Sequence, residues 1–118
     1  MVQIASFTVV AAVLASQAAA STTCVKDQIY CGFTLLNGSG KDFDTWKDRV
    51  DQALLTARPI QPVDSTHEYH SLFLCLPDST LKFVDWCIDN PGKEIRCQPA
   101  SNDACTVGNN DCCGPAKA

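Results

Sequence analysis

The sequence predicts an α+β fold, a small antiparallel β-sheet with one amphipathic helix packed on it and a disulfide-stapled C-terminal loop region. Three observations carry this expectation. Residues 42–58 place their apolar side chains on one helical stripe, two strand-like runs flank Pro77-Asp78-Ser79-Thr80, and eight cysteines are spread over a chain that is poor in large apolar residues beyond Gln98.

The first twenty residues carry no charged side chain, and Ile4 to Ala15 is nearly all apolar or small. Ala18-Ala19-Ala20 then offers the small-residue pattern of a signal-peptidase site, so residues 1–20 read as a signal peptide, although the segment before the apolar run lacks Lys and Arg. A single disulfide-rich domain is expected over 21–118, with 98–118 as a loop-like tail. No later segment has the ~20 apolar residues of a membrane span. The cysteines are Cys24, Cys31, Cys75, Cys87, Cys97, Cys105, Cys112 and Cys113. An even count without C-x-x-C spacing reads as a disulfide framework of an exported protein rather than a metal-thiolate set. The formal charge is −4 and no Lys/Arg run occurs, which argues against DNA and membrane-surface binding. A monomer is expected.

Ile29 to Leu36 is rich in strand formers and predicts a first strand, closed by a turn at Asn37-Gly38-Ser39-Gly40. Asn37-Gly38-Ser39 is also an acceptor for N-glycosylation in an exported chain. From Asp42 to Arg58, Phe43, Trp46, Val50, Ala53, Leu54 and Ala57 recur at helical spacing. Asp42 and Asp44 suit the N-cap and first turn, and Arg58-Pro59 stops the helix. The aspartates at 42, 44, 48 and 51 lack the glycine and distal glutamate of a calcium loop. Pro59 to Thr66 is a polar connector.

Ser71–Leu76 and Leu81–Cys87 read as a hairpin pairing Leu76 with Leu81. Cys75 then faces Lys82, and Cys87 faces His70. One sheet face carries Leu72, Leu74, Leu76, Leu81 and Phe83, the other Phe73, Cys75, Val84 and Trp86, with both faces partly covered. A disulfide needs Cα atoms within ~7 Å, so Cys75 and Cys87 are expected to bridge to other segments, such as the first strand or the tail. Lys93 to Cys97 predicts a short strand after an Asn90-Pro91-Gly92 turn. Adjacent Cys112 and Cys113 are expected to take two different partners.

The two histidines lie in His67-Glu68-Tyr69-His70. Their spacing would suit metal ligation on a helix, but the segment leads into a strand, and no metal or other cofactor is expected. As acid–base candidates the chain offers His67, Glu68, His70 and Arg96. The order Cys24, Cys31-Gly32, helix, then His67 or His70 resembles the opening of fungal guanyl-type ribonucleases. That resemblance implies RNA cleavage, although a central-strand catalytic Glu and a C-terminal Arg or second His have no clear equivalents here. The even cysteine count leaves no spare thiol nucleophile, and neither G-x-S-x-G nor a phosphate-binding glycine loop occurs.

Tyr30-Cys31-Gly32 with Leu35, the short amphipathic helix, Leu72-Phe73-Leu74-Cys75, Phe83-Val84 before Cys87, and the cysteine-rich tail resemble fungal small secreted cysteine-rich proteins, many of them effector candidates. The resemblance implies an extracellular setting and a host-associated, virulence-type lifestyle, and neither a target nor a reaction; the leading expectation beside it is a non-catalytic protein that binds a host protein or a cell-wall glycan. Two alternatives stand beside it: a secreted ribonuclease-like enzyme or its inactive relative, and an antimicrobial or toxin-like protein. The acidic charge disfavours attraction to anionic membranes.

Overall fold

The computed structural model describes residues 22–37, 40–88, 95–100, 105 and 108–115. The expected leader over 1–20, Gly38 and Ser39 of the sequon, the Asn90-Pro91-Gly92 turn, the start of the following strand at Lys93-Glu94, and parts of the tail lie outside them. The chain order is β1 (Ile29–Cys31), α1 (Gly32–Asn37), a 3-10 turn (Gly40–Asp42), α2 (Phe43–Thr56), α3 (Ser65–His70), β2 (Ser71–Cys75), β3 (Leu81–Trp86), β4 (Ile95–Gln98) and β5 (Cys112–Pro115). The strands form two antiparallel sheets, one ordered β1-β2-β3 and one made of β4 and β5. The fold is thus α+β and disulfide-rich, as the sequence predicts, with two further short helices and a second sheet.

Helix α2 lays Trp46, Val50, Ala53 and Leu54 against Phe73, Cys75 and Leu81 of the first sheet and against Leu35 and Leu36 of α1. Asp42 sits at the N-cap of α2, but its side chain makes no capping hydrogen bond. A second cluster on the far side of β2 gathers Cys31, Leu72, Cys87 and Cys97. Strand β2 is therefore covered on both faces, which explains why its residues do not alternate.

Two expectations about strands are corrected. The first strand ends at Cys31, and 32–37 are helical. A Cβ on Gly32 would stand 1.6 Å from the Glu68 carbonyl oxygen, so the chain meets α3 there and turns. Coiling also brings Leu35 and Leu36 both inside, where a strand would send them to opposite faces. The hairpin register is shifted by one residue near its turn, with Cys75 opposite Leu81, Leu74 opposite Lys82 and Phe73 opposite Phe83. Ser79 takes a positive φ of 63°, Ser79 N–H donates to Leu76 O and Leu76 N–H to Thr80 O, a three-residue loop with a bulge. A one-residue slip exchanges faces, so Leu81 and Phe83 join Phe73 and Cys75 rather than Leu72 and Leu74. The Phe73 and Phe83 rings meet edge-to-face at 6.3 Å. A second irregularity, which leaves Val84 unpaired, restores the expected pairing, with Leu72 opposite Asp85 and Cys87 N–H donating to His70 O.

Four disulfides join Cys24–Cys75, Cys31–Cys97, Cys87–Cys113 and Cys105–Cys112, with Cα separations of 5.1–6.1 Å. Cys75 and Cys87 reach separate segments, and Cys112 and Cys113 separate partners, as predicted. The latter follows from β5 itself, since neighbours along a strand point to opposite sides. The loop-like tail is thereby corrected in part: Gln98 and residues 112–115 are strand. Asp111 anchors this region. Its buried carboxylate accepts from Cys31 N–H at 2.8 Å, Thr34 Oγ1–H at 2.7 Å and Ala100 N–H at 2.8 Å, while Asp111 N–H donates to Ile29 O. Among the described residues no helix is long and apolar enough to cross a membrane.

Two substitutions test this account. Gly32→Ala should cost at least about 3 kcal/mol, because backbone rather than a pliable side chain blocks the new Cβ. Asp111→Ala strands three donors and should cost about 3 kcal/mol in urea unfolding, with Asp111→Asn losing less. A parent-like midpoint for Asp111→Ala would refute the anchoring role.

Candidate functional site

The four sequence-selected residues gather around α3 without converging. The connector ends two residues earlier than expected, because Asp64 caps α3: its Oδ1 accepts from His67 N–H at 2.9 Å. His67 and His70 thus stand on a helix after all, contrary to the strand-entry expectation. His67 turns inward. Its Nδ1 lies 2.7 Å from Asp64 Oδ1, its ring stacks on Trp86 at 3.8 Å and 15°, and it is only 6% exposed. The His67 backbone N–H and imidazole hold the Asp64 carboxyl at about 2, well below the usual carboxylate range.

Glu68 points the other way, to α2. Lys47 Nζ donates to Glu68 Oε2 at 2.9 Å and to Asp51 Oδ2 at 2.8 Å. Burial first, and then the neighbouring Asp51 carboxyl, push the Glu68 pKa up against the pull of Lys47. The hydrogen bonds from Lys47 to the Asp51 and Glu68 carboxylates raise the Lys47 pKa. This trio fastens α3 to α2 and leaves Glu68 no open approach.

His70 faces outward into a cleft of about 390 Å³ lined by Phe33, Asn37, Ser65, Thr66, Tyr69 and His70. The Phe33 and His70 ring centroids are 6.3 Å apart. Burial, and secondarily the positive charge of Arg96, lower the His70 pKa. His70 Nδ1 is buried with no hydrogen-bond partner among the described residues. A second proton there would bury an unpaired N–H, so geometry and electrostatics agree on a neutral imidazole. Arg96 is exposed on β4 and acts on His70 by charge alone.

The wall of the cleft therefore carries a phenyl ring, a phenol, an amide, two aliphatic hydroxyls and a neutral imidazole. Of these, only His70 and Asn37 were singled out in the sequence. Phe33 was hidden by its assignment to a strand, and Ser65, Thr66 and Tyr69 by the shortness of α3. The visible signal was Asp64 followed by Ser-Thr, a helix start. Among the described residues no group of three or more His, Cys, Asp or Glu could hold a metal ion. No family model, curated protein or solved structure matches the chain.

The Asp64–His67 pairing predicts an acid-sensitive fold. A depressed carboxyl pKa stabilises the native state above the unfolded value, ordinarily 3.8, and that contribution fades as pH falls toward about 2. Asp64→Ala should be less stable than the parent by about 1 kcal/mol at pH 7, with the gap narrowing as pH falls from 3.8 and closing through about 2. A gap that persists unchanged at pH 2 would refute the pairing.

Proposed function

We propose that this is an extracellular, non-catalytic binding protein whose cleft at His70 takes a neutral, hydroxyl-rich ligand of the cell-wall glycan class. Four disulfides in a small domain with no membrane-crossing helix among the described residues fit an extracellular protein. The observation that carries the ligand class is the lining of the cleft. Phe33 and Tyr69 offer flat apolar faces, Asn37, Ser65 and Thr66 offer hydrogen-bonding groups, and no formally charged side chain lines the wall. Ligand sites combine apolar walls with a few orienting polar groups, and the C–H faces of sugar rings match aromatic faces while their hydroxyls need such partners. An anionic ligand would find no lysine or arginine in the lining, a cationic one no carboxylate. The likeness to fungal small secreted proteins belongs to the same proposal, as the setting in which such a binder would meet a wall or a host.

Cosedimentation with purified insoluble wall polysaccharides tests the reading. The parent, produced in a host that attaches no N-glycan, should pellet with at least one neutral polysaccharide. Tyr69→Ala and Phe33→Ala, with folding checked by circular dichroism, should weaken binding about tenfold or more, the loss of one well-packed ring contact. Lys41→Ala, outside the cleft, should bind as the parent does. Failure to bind any neutral wall polysaccharide sinks the proposal. So does cleavage of RNA that disappears in His67→Ala or His70→Ala.

A further inference from the structure

Asn37 is the last residue of α1, is exposed, and lies on the rim of the His70 cleft. It stands four positions after Phe33, which puts the two side chains on one helix face, one turn apart. It also opens Asn37-Gly38-Ser39, the acceptor pattern for N-linked glycans on exported chains. A sugar attached there would begin one helical turn from Phe33, in a cleft that Tyr69 also lines and whose wall is free of formally charged side chains.

We propose that Asn37 carries an N-linked glycan and that its first sugar ring seats on Phe33 and Tyr69, so that glycosylation covers the cleft. In the modification, the Asn37 side-chain nitrogen attacks C1 of the first sugar of a lipid-pyrophosphate-linked oligosaccharide. The C1–N bond forms, the C1–O bond to the pyrophosphate breaks, the amide loses one proton, and the lipid pyrophosphate departs. No electron donor or acceptor is required. Seating needs little intrinsic affinity, because a short tether gives the sugar an effective concentration on the order of millimolar. The covered form then excludes a free ligand that the uncovered form admits. The seating rests on the neutral aromatic character of the cleft argued above. The modification and its geometry are read without any free ligand, so a failure of wall-glycan binding and a failure of this proposal are separate results.

The test is the full chain expressed in an N-glycosylating eukaryotic host. Intact mass should show a glycan that is removed by Ser39→Ala, a variant that keeps Asn37, and by Asn37→Gln. The glycoprotein is then trimmed enzymatically to a single N-acetylglucosamine. Its N-acetyl methyl resonance should move upfield under the rings and show nuclear Overhauser contacts to Phe33 and Tyr69 ring protons. Tyr69→Ala in the trimmed glycoprotein should return that resonance toward the value of an unfolded glycopeptide. An unmodified Asn37 in the secreted protein overturns the proposal. A trimmed sugar with glycopeptide-like shifts and no ring contacts overturns it equally.

Discussion

The C-terminal segment is held to the rest of the molecule by sulfur and by one carboxylate, and the whole arrangement depends on that attachment. From Arg96 to the end, Val107 is the only large apolar residue apart from the cysteines, so hydrophobic burial cannot dock this stretch. Cys31–Cys97 and Cys87–Cys113 tie the two sheets together, and Asp111 adds three hydrogen bonds between the tail and the β1–α1 segment, accepting from Cys31 N–H and Thr34 Oγ1–H and donating its own N–H to Ile29 O. These bridges span sequence separations of 66 and 26 residues. Cross-links that close long loops remove the most freedom from the unfolded chain, typically contributing about 2–4 kcal/mol each. The Cys105–Cys112 bridge spans 7 residues and acts only within the tail. The covalent frame thus substitutes for the second hydrophobic face that β4 and β5 lack.

Helix α3 is the other junction, and it shapes the cleft. A six-residue helix has no stability of its own. It persists because Asp64 caps it, Trp86 stacks on His67, Lys47 reaches Glu68 from α2, and Gly32 lets α1 approach the Glu68 backbone. Asp64 and Trp86 both hold His67, and Lys47 and Gly32 both meet Glu68. What remains is the side bearing Tyr69 and His70, and that side becomes the wall of the cleft.

The parts of the fold legible in the sequence were those governed by local period or by simple geometry. The α2 stripe was readable because Trp46, Val50 and Leu54 repeat at helical spacing over several turns. The separation of Cys75 from Cys87 survived a wrong register, because the two cysteines lie at opposite ends of the hairpin in either pairing. The illegible parts were decided by distant residues. Nothing local in Gly32-Phe33-Thr34-Leu35-Leu36 marks a helix, and the close approach that demands glycine at its start comes from Glu68, 36 positions later. The register turned on whether Ser79 would accept a positive φ, a role usually filled by Gly or Asn. The tail strands exist because bridges hold them in register. At the candidate site His70 was legible as a residue type. Its surroundings were not, since Phe33 and Tyr69 come from two helices whose residues the sequence shows as a strand and as the entry to a strand.

The division of roles between the two histidines bears on what the cleft can do. An acid–base histidine needs two things in one ring: a partner that orients one nitrogen, and access of the other nitrogen to substrate. His67 has the partner, Asp64, but is buried beneath Trp86. His70 has the access, but its Nδ1 has no partner among the described residues. A neutral imidazole with an unanchored Nδ1 is a poor proton shuttle, because taking up a second proton would bury an unpaired N–H. The same ring remains a serviceable hydrogen-bonding wall for an uncharged ligand. Among the described residues nothing accepts from His70 Nδ1, which acid–base work by this ring would need and the holding of an uncharged ligand would not.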